Sequence, residues 1–132
     1  AEPAGVAREA GAYQRLADLE RRTPGAHFLS RHGATTTSHD QRTRATTGMT
    51  PDGVPGAPRD ASRFLSHADQ LDASGRAVAA HRPGQPCLTF DMGRVIGEGY
   101  RAASPELRST TWATVAFVDD RPCSAYPNLR RS

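Results

Sequence analysis

Only 19 of the 132 residues are Ile, Leu, Val or Phe, and that scarcity sets the narrowest limit on what this chain can bury. A share so low borders on the composition of disordered chains. The net charge of +3 supplies little self-repulsion, however, and Ala, Cys, Met and the aromatics lift the hydrophobic share to 36%, so a core is still within reach. The expectation is one compact, loop-rich domain of modest stability, since 132 residues are too few for two independent cores. No stretch approaches the roughly 18 consecutive apolar residues of a membrane helix. The start at Ala1 has no basic, apolar, small-residue signal pattern, which points to a soluble piece of something longer.

Apolar positions Ala10, Tyr13, Leu16 and Ala17, with Ala7 at their edge, recur at helical spacing and predict an amphipathic helix from Ala7 to Arg22, closed by Thr23-Pro24-Gly25. Ala26 to His32 reads as a short second helix ending at Gly33, with His27 and Arg31 on one side of it. A third helix runs from His39 to Thr46, with an N-cap among Thr35, Thr36, Thr37 and Ser38 and a stop at Gly48. From Thr47 to Asp60 three glycines and three prolines exclude regular structure and predict a long surface loop. Ser62 to Leu65 is a short strand, and Ser66 with Asp69 is a capping box for a helix carrying Ala68, Leu71 and Val78 up to Pro83-Gly84. The rest is strand-like: Cys87–Met92, Arg94–Tyr100, Thr110–Val118 and Cys123–Tyr126, the last two joined through Asp119–Pro122. Helices followed by a twisted antiparallel sheet make the class α+β.

All 17 basic residues are Arg. Compositional bias of the source genome is the plain explanation, but the physical consequence holds: the guanidinium is a planar fork that stays charged and grips phosphate through two bonds, so a pI near 9.4 suggests a polyanionic partner such as nucleic acid. Cys87 and Cys123 have no zinc-site spacing, and their state stays open between one disulfide and two buried thiols.

Among the five histidines, His39 falls in a polar segment, and His67 and His81 sit near the ends of one helix, where surface or capping roles suffice. His27 and His32 are five apart, which does not bring two ligands to one helix face, so no metal is expected there. One imidazole followed by Arg42 and Arg44 suits phosphate chemistry instead: a base titrating near pH 6.5 and a fixed cation for phosphoryl oxygens. On the last strand the period of two puts the hydroxyls of Ser124 and Tyr126 on one face, where they can position a phosphate, although from the strand pattern alone an ordinary wet hairpin face is the preferred explanation of the pair. Tyr100 and Trp112 are expected to pack in the core.

These segments carry a resemblance. His27-Phe28-Leu29-Ser30-Arg31-His32-Gly33, then Arg42 and Arg44, then Ser62-Arg63-Phe64, and finally Ser124-Ala125-Tyr126-Pro127 resemble the bacterial RNase A-like toxin domain of contact-dependent growth inhibition and other polymorphic toxins, over residues 15 to 129. Gly33 directly follows His32 where that family shows His-Val-Gly, which leaves both Arg42 and Arg44 eligible, Arg44 being preferred. Ser124 stands where the family has Thr.

The resemblance implies an RNase A-like fold, with residues 1–25 as an N-terminal helical segment and 26–132 as the catalytic region. It implies a metal-independent ribonuclease without cofactor, with His32 as general base, Arg44 stabilising the phosphoryl oxygens, Ser124 and Tyr126 positioning the phosphate, and Arg42 and His27 binding substrate. Tyr126 or His27 is then the candidate general acid, the alternative being a leaving group that departs with help from water. It also implies an RNA substrate, transfer RNA among the candidates, a cognate immunity protein, a monomeric toxin domain, and secretion or cell-surface delivery into a target-cell cytoplasm. The competing readings are a toxin nuclease of the barnase and EndoU group and a non-catalytic RNA-binding module.

Overall fold

The computed structural model describes residues 3–130, so the outermost residues of the segments 1–25 and 26–132 lie outside the described residues. Four helices, α1 (Pro3–Arg22), α2 (Leu29–His32), α3 (Ser38–Thr47) and α4 (His67–Ala80), and six strands, β1 (Ala61–Phe64), β2 (Cys87–Asp91), β3 (Gly97–Tyr100), β4 (Arg108–Thr110), β5 (Trp112–Val118) and β6 (Arg121–Pro127), give an α+β fold. No helix among the described residues is long and apolar enough to cross a membrane.

The strands form two three-stranded antiparallel sheets, β1-β3-β4 and β2-β5-β6, where the sequence suggested one sheet. The division falls inside the segment expected to be the single strand Thr110–Val118. Thr110 pairs with Gly97 in the first sheet, Trp112 with Asp91 in the second, and Thr111 is the corner. The Thr110 hydroxyl donates to Asn128 O (2.8 Å) and accepts from Trp112 N (3.1 Å), so the corner carries its own side-chain bonds. Arg94–Tyr100 likewise shortens to Gly97–Tyr100, the chain first passing through a bend at Gly93 (φ 80°) and Arg94.

Asp119 and Asp120 both adopt positive φ (51° and 61°), making the β5–β6 connection a two-residue turn of the kind that suits strand twist. A bulge follows: Ala116 faces Ser124 and Phe117 faces Pro122, leaving Cys123 as the extra residue. Cys87 and Cys123 lie on strands either side of β5 and are both free, one exposed and one half-buried, so neither the disulfide nor the pair of buried thiols is found.

Helix α1 presents a face different from the expected one. Ala12 and Leu16 are buried, while Ala7, Ala10 and Tyr13 are exposed. The rotation brings two carboxylates inward. Glu9 accepts from His67 N and Ala68 N (2.8 and 2.7 Å) at the start of α4, and Glu20 accepts from Leu29 N and Ser30 N (2.9 and 3.3 Å) at the start of α2. Unpaired amides at two helix N-termini thus meet negative charge from a third helix. Glu20 also marks the start of α2 at Leu29 and not Ala26: His27 N is committed to Cys123 O (2.7 Å), and Glu20 receives the amides of the first two helical residues. Of the proposed capping pair at α4, only half forms; Ser66 Oγ accepts from Asp69 N (3.1 Å), while the Asp69 carboxylate pairs with Arg94.

Eight of the eighteen buried hydrophobic residues among those described are alanines. Small side chains let helices and strands approach closely, so a few large residues (Leu16, Phe28, Phe64, Ile96 and Val115, all fully buried) suffice to fill the space between the sheets and helices α1 and α4. Tyr100 is buried as expected and Trp112 half-buried.

Candidate active site

The C-terminal end of α2, the last turns of α3, the first residues of β1 and the end of β6 converge on a cleft of about 650 Å³. Its relative positions are set by bonds between elements. Gln41, fully buried on α3, donates from Nε2 to Arg31 O (2.9 Å) and Thr36 Oγ1 (3.0 Å), fixing α3 against α2. The capping box at α3 is Thr37 with Asp40: Asp40 N donates to Thr37 Oγ1 (3.0 Å) and Thr37 N to Asp40 Oδ2 (2.9 Å). Gly48, at φ 86°, ends α3 with its amide on Arg44 O (2.9 Å), and a Cβ there would fall 1.9 Å from Gly56 O, so the loop after it can only close on glycine. That loop has no helix or strand from residue 48 to 60, as expected, and it returns Pro58, Arg59 and Asp60 to the cleft wall.

His32 lies in the cleft, 8% exposed, and its Nδ1–H donates to Ser62 O at 2.9 Å. That bond fixes the tautomer and leaves Nε2 as the free lone pair. Burial first, and then the charges of Arg44 and Arg31, push its pKa down to about 3, so the ring of the free protein is neutral near pH 7. His27, half-buried beside it, is also lowered by burial and by Arg31. The Tyr126 ring sits 5.3 Å from the His32 ring, tilted by 38°. Burial raises the Tyr126 pKa above that of an ordinary phenol, which keeps its proton in place. Ser124 lines the same cleft two residues earlier on β6, as the strand period requires.

Arg44 is 5% exposed, and its Nε and Nη1 are buried with no hydrogen-bond partner. Burial and the neighbouring Arg59 and Arg31 lower its pKa. Four arginines (Arg31, Arg44, Arg59 and Arg130) and one carboxylate, Asp60, line the cleft. Arg31 leans on Asp52 (3.3 Å) and Arg130 on Asp60 (2.9 Å), whereas Arg44 and Arg59 have no carboxylate partner among the described residues. A buried guanidinium without a counterion is costly unless an anion arrives.

Comparison with family models, curated proteins and solved structures finds no match.

Of the six residues singled out in the sequence, the structure gathers five, His27, His32, Arg44, Ser124 and Tyr126, around one cleft. It does not bring Arg42 there; that residue is exposed on α3 and lines no part of the cleft. His39 is exposed, His67 packs edge-on against Tyr13, and His81 stacks on Phe117 at 3.9 Å, all away from the cleft. No cluster of three or more His, Cys, Asp or Glu among the described residues could hold a metal ion. Arg59, Asp60 and Arg130 also line the cleft although no sequence expectation names them, and Arg31 lines it with no role assigned from sequence. For Arg31 a signal existed, its spacing of four from His27. For Arg59 and Arg130 none did, because a loop and a chain end have no period to read.

His32 gives the site a measurable signature in stability. Its folded pKa near 3 lies below the unfolded value near 6.5, so the unfolded chain binds the extra proton between those limits and stability falls as pH falls through that window. The expected loss from this group alone is about 2 kcal/mol between pH 7 and pH 5. Urea unfolding of the wild type and of His32→Asn across pH 4.5–7.5 checks it. The asparagine amide can keep the bond to Ser62 O but does not titrate, so the difference between the two curves should show this slope.

Proposed function

We propose that this chain is a metal-independent ribonuclease that cleaves RNA by attack of the ribose 2′-OH on the adjacent phosphorus, leaving a 2′,3′-cyclic phosphate. The observation that carries the reading is the pairing, in one cleft, of a neutral imidazole with a free Nε2 and a buried guanidinium with no counterion. In this reading His32 Nε2 removes the 2′-OH proton. Arg44 stabilises the charge that grows on the non-bridging oxygens, an effect strongest in the transition state. Ser124 positions the phosphate, and Tyr126 positions it too and has a retained proton to give. The excess of arginines around the cleft favours a polyanion over a small neutral substrate.

The order of motifs described above supports placing the chain with the RNase A-like toxin domains. With that placement come an RNase A-like arrangement of the sheets, delivery from a larger secreted or cell-surface protein, action in a target-cell cytoplasm, and an immunity protein that covers the cleft. The test is incubation with total RNA and with DNA in excess EDTA, followed by analysis of the ends. RNA cut to cyclic phosphate ends with DNA intact is the expected result, because the nucleophile is the 2′-OH. RNA left whole at high protein concentration, or DNA cleaved, would rule the mechanism out.

A further inference from the structure

The two sheets meet at Ser62. This residue is 4% exposed, and its carbonyl and its hydroxyl are each spent on a residue of the cleft. Its carbonyl accepts from His32 Nδ1 at 2.9 Å, and its hydroxyl donates to Pro127 O at 2.6 Å. Ser62 belongs to β1 in the first sheet, while Pro127 closes β6 in the second, directly after Tyr126. One residue therefore holds the His32 imidazole through its backbone and the strand that carries Tyr126 through its side chain.

The approach of β1 to β6 depends on β3. Ser62 faces Gly99 across the β1–β3 ladder. A Cβ on Gly99 would lie 2.1 Å from Ala61 O and 2.9 Å from Ser62 Cβ, and a Cβ on Gly97 would lie 2.1 Å from Pro127 Cγ. Gly97 and Gly99 are what make room for Ser62 and Pro127 to meet. Bare backbone is needed there for steric reasons, since neither glycine takes a positive φ.

Resting on the ribonuclease reading for its catalytic arm, we propose that Ser62 is a positioning residue, whose hydroxyl bond to Pro127 O sets the distance between the His32 ring and the Tyr126 phenol across the two sheets. Without that bond the His32 tautomer survives, because a backbone carbonyl fixes it, but β6 loses its direct tie to the residue that holds the imidazole and keeps the more distant one from β4, Thr110 Oγ1 on Asn128 O. A shift of about 1 Å in such a pair is enough to cost up to roughly 10²-fold in rate. The loss falls on kcat and not on KM, because the arginines that grip the phosphate backbone are untouched.

The experiment compares wild type, Ser62→Ala and Ser62→Thr by two independent measurements. In RNA cleavage, Ser62→Ala is expected to lose about 10- to 100-fold in kcat with KM within about twofold, and Ser62→Thr to recover most of it. By NMR, cross-relaxation between His32 and Tyr126 ring protons and the Tyr126 ring-current shift on His32 are expected to weaken in Ser62→Ala and return in Ser62→Thr, while the His32 nitrogen shifts keep the Nδ1–H tautomer. Wild-type kcat in Ser62→Ala, or unchanged ring contacts, overturns the proposal. A wild type that cuts no RNA removes the ribonuclease reading, and the NMR arm then decides the clasp by itself. Should Ser62→Ala fail to fold, Ser62→Cys, which keeps the volume with only a weak S–H donor, goes through both arms in its place.

Discussion

His32→Asn is expected to lower kcat for RNA cleavage by roughly 10²- to 10⁴-fold while RNA affinity stays within a few fold, the range lost when a positioned general base is removed. Asparagine is the informative choice, because its amide nitrogen can replace Nδ1 in the bond to Ser62 O while nothing replaces Nε2. The fold is kept and the lone pair is lost. The pH profile sharpens the test. In the free protein His32 titrates near 3, held there by burial and by Arg44 and Arg31. A phosphate seated on those arginines offsets their charge, so the imidazole becomes a stronger base when substrate is bound. The acid limb of kcat/KM, which reports the free enzyme, should therefore lie well below the acid limb of kcat, which reports the complex. Single-turnover cleavage across pH 4–8, where kcat should fall at the acid end while kcat/KM stays level, with affinity measured separately by anisotropy, checks both parts. Unchanged kcat in His32→Asn would remove His32 from the mechanism.

The sequence displayed the local parts of this molecule better than their assembly. Helix α3 with its caps, the loop after it, and the pairing of Ser124 with Tyr126 on one strand face are written in nearest-neighbour chemistry: a Thr-Ser-His-Asp start, a glycine stop, a run of Pro and Gly, a period of two. What was hidden depends on bonds between distant segments. Nothing around Glu9 and Glu20 signals that both turn inward to cap other helices, so the buried face of α1 was read about one position off. The division of the strands into two sheets at Thr111 depends on Asn128 reaching back across the corner. The choice between Arg42 and Arg44 followed the same logic. Both lie on one short helix with little amphipathic pattern, and only the packing of α3 on β1 and β3 decides which arginine is buried.

That burial makes Arg44 the site of an exchange between stability and activity. Arg44→Met is expected to lower kcat/KM for RNA by roughly 10²- to 10³-fold, as loss of a fixed donor to a developing oxyanion does, and at the same time to make the unliganded protein more stable by about 1–2 kcal/mol. Methionine fills the same volume on a helix and removes a charge whose Nε and Nη1 have no partner. Urea unfolding with unchanged m-value would report the gain. Inorganic phosphate should reverse the order. It binds the wild-type cleft and raises its midpoint in proportion to the logarithm of concentration, whereas Arg44→Met, lacking the central cation, should respond much less. Arg42→Met is the control: exposed and outside the cleft, it should change stability by less than about 0.5 kcal/mol and leave the phosphate response intact. A wild type that gains nothing from phosphate, or an Arg44→Met protein less stable than wild type, would mean that the guanidinium is satisfied within the fold and is not waiting for an anion.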